Sequence, residues 1–261
     1  MNILEKIVAD IRKDLGYKKA LVSHSDLEAM PLFDRKTLSM SQSIRNSSTG
    51  IIAEHKRRSP SKPHINFGLR LTDVAQGYQQ GGVSSMSVLT NTQYFGGSLE
   101  DLSLARAACD LPLLRKEFIV DEYQILEAKA HGADAILLIA ACLEREEIKQ
   151  LSVFAQSLGL EVLLEVHNRA ELDKSLMPSL NLLGVNNRDL TSFSVSLETS
   201  KTLAELIPNE FIKVSESGIG TSDAVRDLKR FGYQAFLMGE HFMKTNDPGE
   251  AAADFIKAVI Q

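Results

Sequence analysis

Residues 122–166 read EYQILEAKAHGADAILLIAACLEREEIKQLSVFAQSLGLEVLLEV, and this stretch decides the fold. A segment of helical composition, Glu122–Ala130, is followed by Gly132 and an apolar run, Ala135–Ala140. A second helical segment, Glu144–Leu158, leads through Gly159 into a second run, Leu160–Glu165. Glycine just past a helix supports the left-handed turn that ends it. Strand after helix after strand implies parallel pairing with right-handed crossovers.

The rhythm continues both ways. Further apolar runs lie at Ile51–Ala53, Val83–Leu89, Leu111–Leu114, Leu182–Val185, Phe211–Val214 and Ala235–Met238, which makes eight. Helical segments recur at Ser222–Phe231 and Glu250–Ile260, with joint glycines at Gly81, Gly82 and Gly232. Eight such units in 261 residues predict an α/β fold of the (β/α)₈ TIM-barrel type. No G-x-G-x-x-G follows the first run, which weighs against an open dinucleotide-binding sheet. Residues 2–15 place Ile3, Leu4, Ile7, Val8, Ile11 and Leu15 on one helical face, with Asn2 as its cap. Residues 16–49 are mixed, and the Ser/Asn/Thr-rich end, Ser41 to Thr49, reads as a loop. Residues 1–261 are thus expected to form one barrel domain, with 1–49 as a helical N-terminal extension.

Composition narrows the function. Net charge is −5, so the chain lacks the basic footprint of a nucleic-acid or acidic-membrane binder. No apolar run reaches the ~18 residues of a membrane span, and the N-terminus is charged where a secretory signal is apolar. A cytoplasmic location is expected. The two cysteines, Cys109 and Cys142, sit in apolar surroundings and read as buried thiols. The six histidines show no metal-ligand spacing, so no metal is expected.

Barrels of this kind carry their chemistry at the carboxyl ends of the strands. Here those ends hold Glu54 and Lys56 after the first run, Lys116 after the third, and Glu165 at the fifth. Asn186 and Arg188 follow the sixth, and Glu216 and Ser217 the seventh. Residues i and i+2 share a strand face, so Glu54 and Lys56 point the same way. Two lysines and an arginine would then converge with three glutamates on one rim. Gly218 and Gly239 stand after the seventh and eighth runs, where such barrels bind phosphate through backbone N–H groups.

Six ordered motifs carry a resemblance: IAEHKRRSPS, VLTNTQYFGGS, PLLRKEFIVD, GADAILLI, GVNNRDL and VSESGI. Over Ile51 to Met243 the chain resembles the indole-3-glycerol-phosphate synthases of tryptophan biosynthesis, whose helical N-terminal extension it also shares. The resemblance implies a carboxy-lyase that closes the indole ring of 1-(2-carboxyphenylamino)-1-deoxyribulose 5-phosphate, with loss of carbon dioxide and water and no cofactor. It implies Lys116 as general acid, and Lys56 as holder of the substrate carboxylate and aid to later proton transfer. Glu165 and Glu54 match carboxylates that act as bases or orient those lysines. Asn186 and Arg188 match contacts near the anthranilate portion, and Glu216 and Ser217 match substrate-side groups. Phe95, Phe118, Leu137, Leu190 and Leu237 would wall an apolar slot, while Ser59, Gly218, Gly239 and Glu240 would cradle the phosphate. Other tryptophan-pathway enzymes are the partners it suggests.

Three positions depart from the family pattern. Glu117 stands where aspartate is more usual and is expected to point away from the pocket. Pro63 replaces a common glycine, and His241 a common serine. The competing enzyme reading is another phosphosugar barrel, such as phosphoribosylanthranilate isomerase, and Glu54-x-Lys56 together with Lys116 argues against it. A non-enzymatic reading makes Lys56–Lys62 an anion-docking patch. Replacing Gly239 by valine is expected to weaken phosphate binding selectively.

Overall fold

Every one of the eight apolar runs forms a strand. The computed structural model describes residues 3–189 and 192–261. The strands are β1 (Ile51–His55), β2 (Ser85–Leu89), β3 (Leu113–Lys116), β4 (Ala135–Ile139), β5 (Glu161–Val166), β6 (Leu182–Asn186), β7 (Ile212–Glu216) and β8 (Ala235–Met238). They pair in parallel in chain order, and β8 pairs back onto β1, so the barrel closes. Pairing carries several strands past the apolar run into its polar end. His55, Lys116, Asn186 and Glu216 are therefore strand residues held by the ladder, not loop residues.

Two apolar layers follow from the alternation of side chains. Outward residues such as Val88, Leu113, Ile136, Val162 and Val185 pack under the surrounding helices. Inward residues fill the barrel: Ile52, Leu114, Leu137, Leu163, Leu182, Ile212, Val214 and Leu237. Cys109 is buried and Cys142 half-buried, both as free thiols.

The N-terminal segment differs from its expected form in two places. Its first helix, α1 (Ile3–Leu21), runs past Leu15 and through Gly16, because Ile7, Ile11 and Leu15 anchor it on the barrel. The expected cap, Asn2, lies outside the described residues. After α2 (His24–Glu28), the stretch read as a loop from Ser41 to Thr49 contains a helix, α3 (Met40–Asn46). Its serines mislead because they cap and clamp. Ser39 Oγ accepts the Gln42 N–H at 3.0 Å, and Glu161 takes Ser39 Oγ, Ser41 N and Ser41 Oγ at 2.7–2.9 Å. That leaves Met40 and Ile44, one turn apart, to close the barrel floor as part of its interior cluster. Asp134, fully buried, clamps the same linker through Arg35 at 2.6 Å and Leu38 N at 2.7 Å.

No helix among the described residues is long and apolar enough to cross a membrane.

The floor generates a test of what the extension contributes. Truncating Met40 or Ile44 to alanine leaves a cavity where neither strand nor helix can collapse, at a cost of about 2–5 kcal/mol. Chemical denaturation of each variant should show that loss. Turnover by the folded fraction should stay near wild type, because the floor lies at the end of the barrel opposite the polar strand ends.

Candidate active site

The carboxyl ends of the strands open on a cavity of about 220 Å³. It is lined by Glu54, Lys56, Ser59, Phe95, Lys116, Phe118, Leu137, Glu165, Asn186, Arg188, Glu216, Ser217, Gly218, Leu237, Gly239 and Glu240. The structure therefore brings the described candidate residues to one place. Leu190 lies outside the described residues.

Charge is organised around Lys116. Its Nζ sits 2.9 Å from Glu165 Oε2 and 2.6 Å from Glu216 Oε2, on a side chain only 12% exposed. Beside it, Lys56 Nζ pairs with Glu54 Oε1 at 2.7 Å. Asn186 Nδ2 donates to the second oxygen of Glu165 at 2.9 Å, which fixes that carboxylate's rotamer. Glu216 Oε1 has no hydrogen-bond partner among the described residues. It faces Gly184 of β6, where an added Cβ would lie 2.5 Å from it.

These contacts split the proton affinities. Burial disfavours the Lys116 ammonium, but Glu165, Glu216 and Glu54 outweigh it and hold its pKa above the ordinary lysine value. Burial also works against ionised Glu165, yet Lys116, His167 and Asn186 hold it well below the usual carboxylate range. For Glu216, burial wins over the nearby Lys116, and with the charges of Glu165 and Glu54 pushes it up to about 7. Of the two carboxylates, Glu165 therefore stays ionised, and Glu216 is the one placed to exchange a proton near neutrality.

One wall is apolar. Asn91 caps the short helix Thr92–Phe95 by accepting the Tyr94 N–H at 2.9 Å, and this turn aims Phe95 at the cavity. Phe95 and Phe118 stand 6.1 Å apart between ring centroids, with Leu137 and Leu237 below them. A flat aromatic ring fits such a slot. Arg188 lines it too, with its Nη1 turned to the Phe193 carbonyl at 3.2 Å.

The other wall suits an anion. Ser217 and Gly218 take consecutive left-handed conformations, φ 68° and 78°, in the loop after β7, where such barrels bind phosphate through backbone N–H groups. Asn187 props that turn by donating to Glu216 O and Ser217 O. Opposite, Ser59 and Lys62 bond backbone to backbone, and Lys62 Nζ meets Glu240 Oε1 at 2.5 Å. Arg57 anchors this loop on Asp101, and Arg58 donates to the carbonyls of Thr92 and Gln93. The basic stretch is thus engaged internally, contrary to a docking patch.

Sequence reasoning missed several residues. Ile3, Leu4 and Ile7 of α1, Ile139 and Phe193 also line the cavity. Gly184 had no signal of its own, since its role depends on Glu216 of the neighbouring strand β7. Of the departures, Glu117 borders the cavity but is held by Thr90 Oγ1 and Asn91 Nδ2 at 3.0–3.1 Å. His241 packs edge-on against Phe242 and Phe255. Pro63 follows the Ser59–Lys62 turn and is exposed.

No group of three or more His, Cys, Asp or Glu among the described residues is placed to hold a metal.

Comparison with known proteins gives the family. The family model for indole-3-glycerol phosphate synthase matches residues 4–255. Indole-3-glycerol phosphate synthase of Bacteroides thetaiotaomicron is 42% identical over 258 residues, 99% of each chain. That of Variovorax paradoxus is 41% identical over 98% of this chain and 99% of its own. Among solved structures, 3-hexulose-6-phosphate synthase from Salmonella typhimurium aligns with a TM-score of 0.65 at 12% identity, over 81% of this chain and 99% of its own. Thiamine phosphate pyrophosphorylase from Pyrococcus furiosus aligns at 0.59 and 16%, over 81% and 96%. These two share the fold.

Gly239 needs a revised expectation. A Cβ there would lie 2.8 Å from Glu54 Oε1 and 3.0 Å from Glu54 Cβ, so valine disturbs the Glu54–Lys56 pair as well as the anion wall. Gly239→Val should weaken inorganic phosphate binding roughly 10- to 100-fold, the worth of one charge-assisted hydrogen bond. It should lower kcat as well as raise KM. Calorimetric phosphate titration beside steady-state kinetics checks both, and an effect confined to KM would detach Gly239 from Glu54.

Proposed function

The chain belongs to the indole-3-glycerol phosphate synthase family, and from that premise we propose how its residues share the reaction. The reaction is a decarboxylating ring closure. It converts 1-(2-carboxyphenylamino)-1-deoxyribulose 5-phosphate, a small phosphorylated substrate of the tryptophan pathway, to indole-3-glycerol phosphate. The ring carbon bearing the carboxylate attacks the C2′ carbonyl, carbon dioxide leaves, and water follows.

The observation that carries the assignment is Lys116, a charged ammonium held between Glu165 and Glu216 above the apolar slot. In our reading Lys116 gives its proton to the C2′ oxygen as the carbon–carbon bond forms, and its charge stabilises the developing alkoxide. Loss of carbon dioxide then restores the aromatic ring. Departure of the hydroxyl as water takes a second proton, and C1′ gives one up as the pyrrole double bond forms. Lys56 holds the substrate carboxylate and assists the later proton transfer. Glu165 and Glu54 serve as base or keep the lysines in place, and Glu216 with Ser217 faces the sugar chain. Asn186 and Arg188 lie by the anthranilate portion, with Phe95, Phe118, Leu137, Leu190 and Leu237 around its ring. Ser59, Gly218, Gly239 and the Glu240 backbone take the phosphate.

Residues 1–49 belong, in the same reading, to one folding unit with the barrel, supported by the clamps on Glu161 and Asp134. A cytoplasmic setting, alongside other tryptophan-pathway enzymes, follows from the biosynthetic role.

Two variants test the assignment. Lys116→Ala removes the acid and should lower kcat ~10²–10⁴-fold while the protein stays folded. Near-wild-type ring closure in that variant would remove Lys116 from the chemistry. Gly184→Ala never touches substrate, yet its methyl meets Glu216 Oε1 and Leu163 Cδ1 at 2.5 and 3.2 Å. By displacing Glu216 from Lys116 it should cost roughly 10²-fold in kcat, the scale of a small misplacement of catalytic groups. An unimpaired Gly184→Ala enzyme would mean that the position of Glu216 does not matter.

A further inference from the structure

Next to the reacting groups lies a half-buried cluster to which the reaction scheme gives no part. His167 follows Glu165 by two residues at the end of β5, so its ring turns to the same side of the chain. Its Nε2 stands 3.4 Å from Glu165 Oε1, the oxygen that Lys116 leaves free. Its Nδ1 stands 3.0 Å from Glu171 Oε2. The same Glu171 oxygen accepts the His167 backbone N–H at 2.8 Å, and Asn168 Nδ2 donates to the other at 2.8 Å. Lys116, Glu165, His167 and Glu171 thus form a row of alternating charge leading outward from the barrel mouth.

We propose that His167 is a positioning residue, an imidazolium that braces Glu165 and keeps that carboxylate ionised and fixed for its work with Lys116. The inference rests on the role given to Glu165 above. Nδ1 bonds Glu171, and Nε2 lies within ion-pair distance of Glu165 with no hydrogen-bond partner among the described residues; a nitrogen lone pair beside a carboxylate is repelled, so both nitrogens carry protons. The surroundings agree. Burial opposes the charged ring, but Glu165 and Glu171 outweigh it and push His167 up to about 10. The other titratable groups here are Cys142 and Lys174. Burial raises the Cys142 thiol to about 12, so it is neutral, and Lys174 donates to the Leu143 carbonyl at 2.8 Å.

A simpler role would be to cap the turn into the helix Arg169–Ser175 through Glu171. Two substitutions separate the roles, because the asparagine amide mimics Nδ1 and the glutamine amide mimics Nε2. His167→Asn keeps the donor to Glu171 and loses the N–H group beside Glu165, and His167→Gln does the reverse. For a positioning residue, His167→Asn lowers kcat roughly 10- to 100-fold with little change in KM, and His167→Gln recovers part of the loss. In His167→Asn the acidic limb of the kcat profile also moves to higher pH, since Glu165 has lost a charge that held it ionised. Nitrogen NMR of the wild-type ring should show an imidazolium that does not titrate between about pH 5.5 and 8.5. Wild-type kcat in His167→Asn overturns the inference, as does a ring titrating near the ordinary ~6.5. Equal kcat losses in both variants, with lowered melting temperatures, also overturn it and leave a packing role. Glu165→Gln is the control: full activity there fails the role of Glu165 itself, whereas an impaired Glu165→Gln beside an unimpaired His167→Asn fails only the present inference.

Discussion

An ammonium buried in a protein interior needs anions, and buried carboxylates need a cation. Lys116 between Glu165 and Glu216 meets both needs at once, and either partner left alone would be a costly uncompensated charge. The rest of the barrel follows from keeping this arrangement intact. Its members, with Glu54, come from β1, β3, β5 and β7, the alternate-strand pattern by which one layer of such a barrel is filled. In most barrel layers that pattern packs branched apolar side chains. Here the uppermost layer is ionic, so its geometry is set by ladder register instead of by apolar packing. A shift of one strand would separate the charges, and the closed hydrogen-bonded ring of eight strands opposes such a shift.

Stability is drawn from the opposite end. Below the charged layer the interior is largely aliphatic, and Met40 and Ile44 of α3 close its floor. Carboxylates work there as well: Asp134, fully buried, and Glu161, half-buried, take donors from the N-terminal linker, and Asp134 also takes Arg106 and the Leu113 N–H. Both ends of the barrel therefore bury acids. At the floor the donors are backbone N–H groups, serines and arginines that fix the chain. At the mouth they include a lysine able to give its proton away. Residue type decides which end is structural and which is reactive.

That difference also explains what the sequence made legible. Strand positions were readable because an apolar run between two helical segments reports burial on both faces, a local property. The convergence of Lys116, Glu165 and Glu216 was readable because strand ends of one barrel meet at one rim. The helix at Met40–Asn46 was not, since its serines resemble a loop until Glu161, 120 residues away, is seen to bind them. Gly184 and His167 were missed for the same reason. A glycine inside a strand signals nothing until a carboxylate is found in the space it leaves, and one histidine means little until both nitrogens are seen to face acids. The contribution of Ile3, Leu4 and Ile7 to the cavity likewise depends on how α1 crosses the mouth, a tertiary fact that periodicity along α1 cannot contain.

The two ends of the substrate pocket are not independent. The loop after β1 carries Lys56 at its start and Ser59 further on, and Lys62 ties it to Glu240 across the anion wall. Burial raises the Glu240 carboxyl, but Lys62, with Lys56 and Arg188 farther off, holds it below its usual range, so the tie is ionic at neutral pH. Gly239 in turn sits against Glu54, the partner of Lys56. One short path therefore joins the backbone proposed to take the phosphate to the Glu54–Lys56 pair, through contacts rather than through a moving part. Free energy released on binding the phosphate, remote from the reacting carbons, is available to fix the geometry of that pair. A substrate lacking its phosphate would then lose rate as well as affinity.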